Sequence, residues 1–208
     1  MAGDGIPWDT FRVPRRSGNG YHHGMSDTRP VRNVALIGFM GVGKSTVGSM
    51  VAGLLDFELV DTDRILEERS GRRISDIFAK DGEATFRRME SDLVREFEGA
   101  ERKVISTGGG LPMTPGNLES LRSHAYVVCL WASVETIYQR VRNQGHRPLL
   151  HTPDPIATIR DLLQVRGPVY RQADLLLGVD YRSPNESARL IASAFRKIAG
   201  QEPRHVDR

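Results

Sequence analysis

Residues 38–46 read Gly38-Phe39-Met40-Gly41-Val42-Gly43-Lys44-Ser45-Thr46. Two glycines bracket four residues and a Lys-Ser pair follows at once, which is the G-x-x-x-x-G-K-[ST] pattern of a phosphate-binding loop. The apolar run 34–37 enters the loop with strand length, and 47–55 leaves it with helical spacing. A glycine-rich turn between a strand and a helix is the alternative, but the complete motif in this setting predicts a site for a nucleoside triphosphate.

The motif combines three kinds of phosphate ligand. Glycines allow successive backbone N–H groups to point inward, and the start of the following helix adds partial positive charge. The ammonium of Lys44 suits the β- and γ-phosphates, and the hydroxyl of Ser45 can bind Mg²⁺. We therefore expect ATP as the nucleotide, with phosphate contacts from Gly41, Val42, Gly43, Lys44, Ser45 and Thr46.

The excess positive charge lies mainly near the N-terminus. The chain has 208 residues, 39% of them hydrophobic, and a formal net charge of +3, which suits one domain and is tight for two. Residues 1–33 hold five arginines and three aspartates, so they account for two of the three net charges. The remainder is nearly neutral and shows no dense basic face with interleaved aromatics, which argues against a nucleic-acid partner.

The two ends of the chain are expected to lie outside the folded domain. Residues 1–30 are rich in Gly, Pro, Arg and Ser without an apolar period, which predicts a disordered tail. Met25 could open a shorter chain; a targeting peptide is the other interpretation, which three aspartates disfavour. We expect the folded domain over 31–200 and a flexible tail over 201–208.

The single cysteine, Cys129, lies in an apolar run over 126–131. A disulfide within the chain is therefore impossible, a zinc site of cysteines is excluded, and a buried strand thiol is expected. No apolar run reaches the roughly eighteen residues of a membrane span, and the N-terminus lacks the apolar core of a signal peptide. We expect a cytoplasmic monomer with no membrane partner.

Strand-length and helical patterns alternate along the chain, which predicts an α/β fold: a five-stranded parallel sheet with helices on both faces. The final helix should begin after Ser183, because Ser183-Pro184-Asn185-Glu186 has the form of a capping box. The strands are predicted at 34–37, 58–60, 104–106, 125–130 and 175–179. The other helices are predicted at 46–55, 63–69, 75–80, 83–98, 115–122, 133–142 and 156–165.

Polar residues follow several strands, at the edge where such sheets bind ligands. Asp61 and Asp63 come after the second strand and could hold Mg²⁺ and orient a hydroxyl, although a helix cap or a solvated loop has the same pattern. Three glycines at 108–110 follow the third strand and would let a ligand approach the backbone, unless they form a flexible loop.

Two arginines complete the candidate site. Arg87 and Glu90 share a helix face. A surface ion pair without a functional role is the alternative interpretation of these two residues. Arg166 is placed just past a helical stretch, where an unremarkable exposed arginine would also fit.

Together and in this order, these motifs resemble the shikimate kinase family over about residues 33 to 190. The resemblance rests on the glycine loop, Asp-Thr-Asp, the pattern Ile-x-Asp-Ile-Phe-x-x-x-Gly-Glu-x-x-Phe-Arg-x-x-Glu over 74–90, Gly-Gly-Gly, Arg-Pro-Leu-Leu over 147–150 and Arg-x-Pro-x-Tyr over 166–170. It implies a P-loop kinase fold with a mobile lid near 143–155, and ATP-dependent phosphorylation of the 3-hydroxyl of shikimate in aromatic amino-acid biosynthesis.

The resemblance also implies roles for single residues. Asp63 contacts the shikimate hydroxyls as base or orienting group, and Lys44 and Arg147 act with it in catalysis, Arg147 from the lid onto the ATP phosphates. Arg87 and Arg166 grip the shikimate carboxylate with the backbone of Gly109, while Glu90 holds the substrate-side arginine. Asp61 reaches Mg²⁺ beside Ser45. Arg140 and Pro184 pack against adenine.

Two other functions remain open on the sequence. One is a phosphate-loop kinase for another small acceptor, such as gluconate or a nucleotide, although those families lack the combination of Gly108–Gly110 and Arg166 in this order. The other is a non-catalytic nucleotide switch or a nucleic-acid-linked ATPase, which the nearly neutral body disfavours.

Overall fold

Five parallel strands form one sheet in the order β2-β3-β1-β4-β5 within the part of the chain that the structure, a computed structural model, describes: residues 29–142 and 152–200. The expected tails 1–30 and 201–208 fall almost entirely outside these ranges, as do Arg147 and most of the expected lid. The strands are β1 Asn33–Ile37, β2 Glu58–Asp61, β3 Lys103–Ser106, β4 Ala125–Trp131 and β5 Leu175–Gly178. All five predicted strands are confirmed, with ends that shift by one residue at most.

Helices connect the strands in the expected alternation. They are α1 Lys44–Leu55, α2 Thr62–Ser70, α3 Ile74–Asp81, α4 Glu83–Glu96, α5 Asn117–His124, α6 Val134–Val141, α7 Pro155–Tyr170 and α8 Pro184–Ile198. The capping box is confirmed, because the Ser183 side chain accepts from the N–H of Glu186 and the Glu186 carboxylate accepts from the N–H of Ser183. No helix in these two ranges is long and apolar enough to cross a membrane.

The central strands are buried on both faces, and their side chains alternate between two cores. Val34 and Leu36 of β1 enter one cluster, whereas Ala35 and Ile37 enter the other. The first cluster is covered by α1, α6, α7 and α8, the second by α2 to α5 and the last turn of α7. Cys129 of β4 lies in the second cluster, so the expected buried strand thiol is confirmed.

The sheet order places the C-terminal end of β1, where ligands bind in such folds, in the middle of the sheet. β1 pairs with β3 on one side and β4 on the other, while the chain runs from β1 to the edge strand β2 and from β3 across to β4. Neighbouring strands whose connections diverge leave a crevice at their C-terminal ends. The loops after β1, β2 and β3 therefore converge there.

Several predicted helix boundaries shift by one or two residues, and the predicted end of α7 is wrong by five. Arg166 does not lie past a helix but within α7, which continues through Pro168 to Tyr170. Pro168 removes one N–H donor, yet Ile159, Leu163, Gly167 and Tyr170 keep a buried face along the helix, and this packing outweighs the lost bond. α5 begins at Asn117 rather than at 115, because Gly116 has a left-handed φ of +89° that a helix cannot include.

Candidate active site

The phosphate loop requires glycine at both of its ends. Gly38 has φ +133°, and a Cβ there would lie 2.3 Å from the carbonyl oxygen of Leu130, so only glycine lets the chain leave β1 beside β4. Gly43 has φ +98° and is the N-cap of α1. It has no side chain that could accept a hydrogen bond from the first N–H groups of the helix. The start of α1 is thereby available to an anion.

The ammonium of Lys44 lies across the same loop. Its Nζ donates to the carbonyl oxygens of Gly38 and Phe39, both at 2.9 Å. These bonds hold a positive charge beside the start of α1, where the helix dipole and the ammonium would act on the same anion.

A cleft of about 510 Å³ extends from this loop along the edge of the sheet. The six predicted phosphate ligands, 41–46, line it, as do Asp61, Asp63, Arg140 and Pro184. Sequence reasoning missed other lining residues, among them Ser106, Thr107, Val179, Arg182 and Ser187. Of these, Arg182 could have been found from the sequence. It directly precedes the Ser183-Pro184 cap and therefore lies at the same strand end as Pro184.

Asp61 caps a helix and also faces the phosphate loop. Its Oδ1 caps α2, accepting from the N–H groups of Asp63 at 3.1 Å and Arg64 at 3.4 Å. Its Oδ2 accepts from the Ser45 hydroxyl at 3.0 Å, and the Ser106 hydroxyl lies 3.4 Å from Ser45. The cap fixes the carboxylate so that a second oxygen faces the phosphate loop.

The oxygens around Ser45 are of the kind that Mg²⁺ prefers. The described residues include no group of three or more His, Cys, Asp or Glu side chains suited to a metal. A nucleotide-bound Mg²⁺ takes only one or two protein ligands beside phosphates and water. The Ser45 and Asp61 oxygens therefore fit this ion.

Asp63 lies in the first turn of α2, on the wall of the cleft. Burial raises the pKa of its carboxyl above the ordinary value, and the nearby charge of Asp61 raises it further, while Lys44 and Arg87 act in the opposite direction. A Cβ on Gly108 would lie 2.5 Å from Asp63 Oδ1. The carboxylate is thus packed directly on the glycine backbone.

The three glycines after β3 form a close-packed floor. A Cβ on Gly110 would lie 2.7 Å from Arg87 Nη1, and one on Gly109 would lie 3.8 Å from Arg166 Nη1. The Gly109 carbonyl accepts from the Tyr170 hydroxyl at 2.8 Å and from Arg166 Nη1 at 3.4 Å. Successive glycines therefore bring an acid and two arginines onto one short stretch of backbone.

Arg87 and Glu90 form an ion pair that is buried at the acid. Arg87 Nη1 donates to Glu90 Oε2 at 2.7 Å, and the Glu90 side chain is only 1% exposed. Arg87 also pairs with Glu83, so its guanidinium is held from two sides. Burial raises the pKa of Glu90 to about 7, although Arg87 opposes that shift. The alternative of a plain surface pair is therefore wrong for Glu90.

The raised pKa of Glu90 predicts a pH-dependent stability. The folded state keeps the Glu90 proton to about pH 7, whereas the unfolded chain releases it near its ordinary value of 4.5. The contribution of Glu90 to stability is therefore fully present below pH 4.5 and is lost as pH rises through 7, by about 3 kcal/mol at most. Urea unfolding of the wild type and Glu90→Gln, from pH 4 to 8, should show this loss as a change in the stability difference between the two proteins. Parallel curves for the two proteins would contradict it.

Arg166 approaches the same floor from α7. Its guanidinium lies over the Phe39 ring, 5.2 Å from the ring centroid, beside its contact with Gly109. Arg87 and Arg166 do not line the cleft, whereas Asp63 and Gly109, which share the glycine floor with them, do. The predicted residues thus form two adjoining groups, one at the phosphate loop and one at the glycine floor. Among them, only Arg147 lies outside the described residues.

A phosphate loop on the central strand of a parallel sheet, beside a glycine floor that carries an acid and two arginines, places the chain among the P-loop kinases. The family model for shikimate kinase matches residues 40–196. The chain belongs to the shikimate kinase family.

Individual relatives agree over most of the chain. A shikimate kinase of Thermus thermophilus is 46% identical over 172 residues, which cover 82% of this chain and 94% of the relative. That of Thermodesulfovibrio yellowstonii is 37% identical over 169 residues, covering 81% and 98%. The shikimate kinase from Acinetobacter baumannii, solved in complex with shikimate, superposes with a TM-score of 0.76 at 35% identity, covering 81% of this chain and 95% of that one. A gluconokinase from Sinorhizobium meliloti shares only the fold, with a TM-score of 0.50 at 17% identity.

Proposed function

We propose that this chain transfers the γ-phosphoryl group of ATP to the 3-hydroxyl of shikimate, giving shikimate 3-phosphate and ADP. The observation that carries the proposal is the position of Asp63, whose carboxylate lines the phosphate cleft and packs on the glycine floor shared with Arg87 and Arg166. A hydroxy-acid whose carboxylate meets the two guanidinium groups would present a hydroxyl to Asp63, next to the bound phosphates.

On the donor side, the phosphate loop holds ATP by its backbone N–H groups and by Lys44. Phosphoryl transfer needs positioning and charge stabilisation more than covalent chemistry. Lys44 and, from the segment beyond the described residues, Arg147 would offset the charge on the transferred group. Arg140 and Pro184 would contact adenine at the far end of the cleft, which both of them line.

Ser45 and Asp61 would hold Mg²⁺ beside the phosphates. Bound there, the ion would supply positive charge that offsets the charge developing on the transferred group. The bond from Ser45 to Asp61 and the α2 cap keep both oxygens in place for it.

On the acceptor side, Arg87 and Arg166 would bind the shikimate carboxylate with help from Gly109. A guanidinium presents two parallel donors that match a carboxylate. Glu90 would keep Arg87 in position through its buried ion pair. Asp63 would hold the 3-hydroxyl in line with the γ-phosphorus and accept its proton. We further propose that the enzyme works as a monomer in the cytoplasm, where a reducing environment suits the buried thiol of Cys129.

Coupled measurement of ADP release with and without shikimate tests this function. We expect ADP formation to depend on shikimate and to yield one equivalent of shikimate 3-phosphate, with gluconate and nucleosides inactive as acceptors. Equal ADP release without an acceptor would instead support a nucleotide switch or ATPase. Turnover with another member of the panel alone would support a different small-molecule kinase.

Arg166→Ala should weaken shikimate binding and spare ATP. Removing one of two carboxylate-binding guanidinium groups is expected to raise the shikimate KM by roughly 10- to 100-fold, because a charge-assisted hydrogen bond contributes about 1.5–3 kcal/mol. Steady-state kinetics with each substrate varied in turn measures both constants. Arg160→Ala is the matched control, since Arg160 is an exposed arginine of the same helix. A raised ATP KM with an unchanged shikimate KM would show that the acceptor site is misplaced.

A further inference from the structure

Two aspartates flank β5 and make the same kind of bond at opposite ends of the sheet. Asp174 precedes the strand, and its Oδ2 accepts from the N–H of Val127 at 2.9 Å. Asp180 follows the strand, and its Oδ1 accepts from the N–H of Ser133 at 2.9 Å. Asp180 alone lies at the C-terminal edge, where the cleft is. Substituting each aspartate in turn therefore separates the effect of such a bond on the fold from its effect on the site.

Asp180 fixes the start of α6. The Ser133 hydroxyl also lies 2.9 Å from Asp180 Oδ1, and this serine is the N-cap of α6, accepting from the N–H of Thr136 at 3.2 Å. One carboxylate oxygen therefore holds both the backbone and the side chain of the cap. Because a cap determines where a helix begins, Asp180 links the loop after β5 to the position of α6.

The other end of α6 returns to the same loop through Arg140. Its Nη2 donates to the carbonyl of Val179, next to Asp180, at 3.2 Å, and its Nη1 donates to the carbonyl of Val42 in the phosphate loop at 3.3 Å. The contacts form a closed ring: Asp180 to Ser133, along α6 to Arg140, and back to Val179. Two members of the ring, Arg140 and Val179, line the cleft together with Pro184.

The charge of Asp180 matches this arrangement. Burial opposes its ionisation, but hydrogen bonds from Thr136 and Ser133 and the nearby charge of Arg140 outweigh burial and hold its pKa below the ordinary value. An ionised carboxylate thus faces the guanidinium across the ring.

We propose that Asp180 is a positioning residue for the nucleotide: by holding the α6 cap and facing Arg140, it keeps that guanidinium at the adenine end of the cleft. The inference rests on the proposed function, in which Arg140 contacts adenine. Asp180 itself lies outside the residues that line the cleft, so it acts through Arg140 and not by touching ATP.

The test compares Asp180→Ala, Asp180→Asn, Arg140→Ala and Asp174→Ala. We expect Asp180→Ala to raise the ATP KM, and the Kd for ATP by calorimetry without acceptor, about tenfold, with kcat and the shikimate KM changed by less than about twofold. Asp180→Asn should show a smaller rise, because its amide oxygen can still accept from Ser133 while the charge opposite Arg140 is lost. Combining Asp180→Ala with Arg140→Ala should add little to Arg140→Ala alone.

Asp174→Ala is the control for a purely structural effect. It removes the equivalent bond to β4 from the opposite edge, so we expect a lower melting temperature and unchanged constants for both substrates. The inference is overturned if Asp180→Ala leaves the ATP Kd unchanged, or if both aspartate variants shift both substrates equally. An unchanged ATP Kd in Arg140→Ala overturns the adenine assignment as well, whereas ATP binding without shikimate turnover overturns the proposed acceptor alone.

Discussion

Lys44→Met is expected to reduce kcat by roughly a thousand-fold or more while the protein remains folded. Loss of one preorganised charge at the transferring group costs about 10²- to 10³-fold in comparable sites, and Lys44 acts on both the β- and γ-phosphates. Methionine keeps most of the length of the side chain, so the change removes the ammonium and little volume. Coupled ADP release at saturating ATP and shikimate measures the effect.

The result has to be separated from a disturbance of the loop, because Lys44 also donates to the carbonyls of Gly38 and Phe39. Circular dichroism and the melting temperature should stay close to the wild type, since the left-handed glycines and the buried strand β1 fix the loop independently of those bonds. Lys80→Met, an exposed lysine at the end of α3, is the matched control and should be fully active. Substantial activity in Lys44→Met would remove the loop from the reaction.

The sheet could be predicted from the sequence because its strands are marked by uninterrupted apolar runs. β1 and β4 are buried on both faces, so neither shows alternation, and short apolar runs between helical stretches were sufficient to find them. The phosphate loop could be recognised equally well, because no residue other than glycine fits the close contacts and positive φ angles at its glycine positions. The boundary beside Arg166 was wrong because local rules treat Pro168 as the end of a helix, whereas burial along α7 is a long-range effect.

The candidate site could be predicted only as a set of residues. The sequence identified Asp61, Asp63, Arg87 and Arg166 as candidates. A purely structural role was physically reasonable for each of them, and Asp61 does cap a helix. Contacts between distant segments, such as Gly110 with Arg87 or Asp180 with Ser133, depend on strand register and helix packing. No local pattern contains that information, so the role of Asp180 could be recognised only in three dimensions.

Asp63→Asn is expected to lower kcat by about 10²- to 10⁴-fold, the usual range for a positioned acid–base group, with a much smaller rise in the shikimate KM. The amide keeps the size of the side chain and can still contact a hydroxyl, but it cannot accept a proton. An interaction that is needed mainly in the transition state affects kcat and kcat/KM together. Kinetics with shikimate varied at saturating ATP separates these constants, and an unchanged kcat would remove Asp63 from the mechanism.

Gly108→Ala tests the same carboxylate without altering it. The added Cβ would lie 2.5 Å from Asp63 Oδ1, so the acid must move, whereas the backbone there needs no left-handed φ and is not itself strained. Because a displacement of about 1 Å can cost roughly 10²-fold in rate, we expect kcat to fall by that order while the ATP Kd stays unchanged. Gly53→Ala, in an exposed turn of α1 where a Cβ meets open space among the described residues, should leave kcat intact and raise stability slightly. Full activity in Gly108→Ala would mean that the position of Asp63 does not limit transfer.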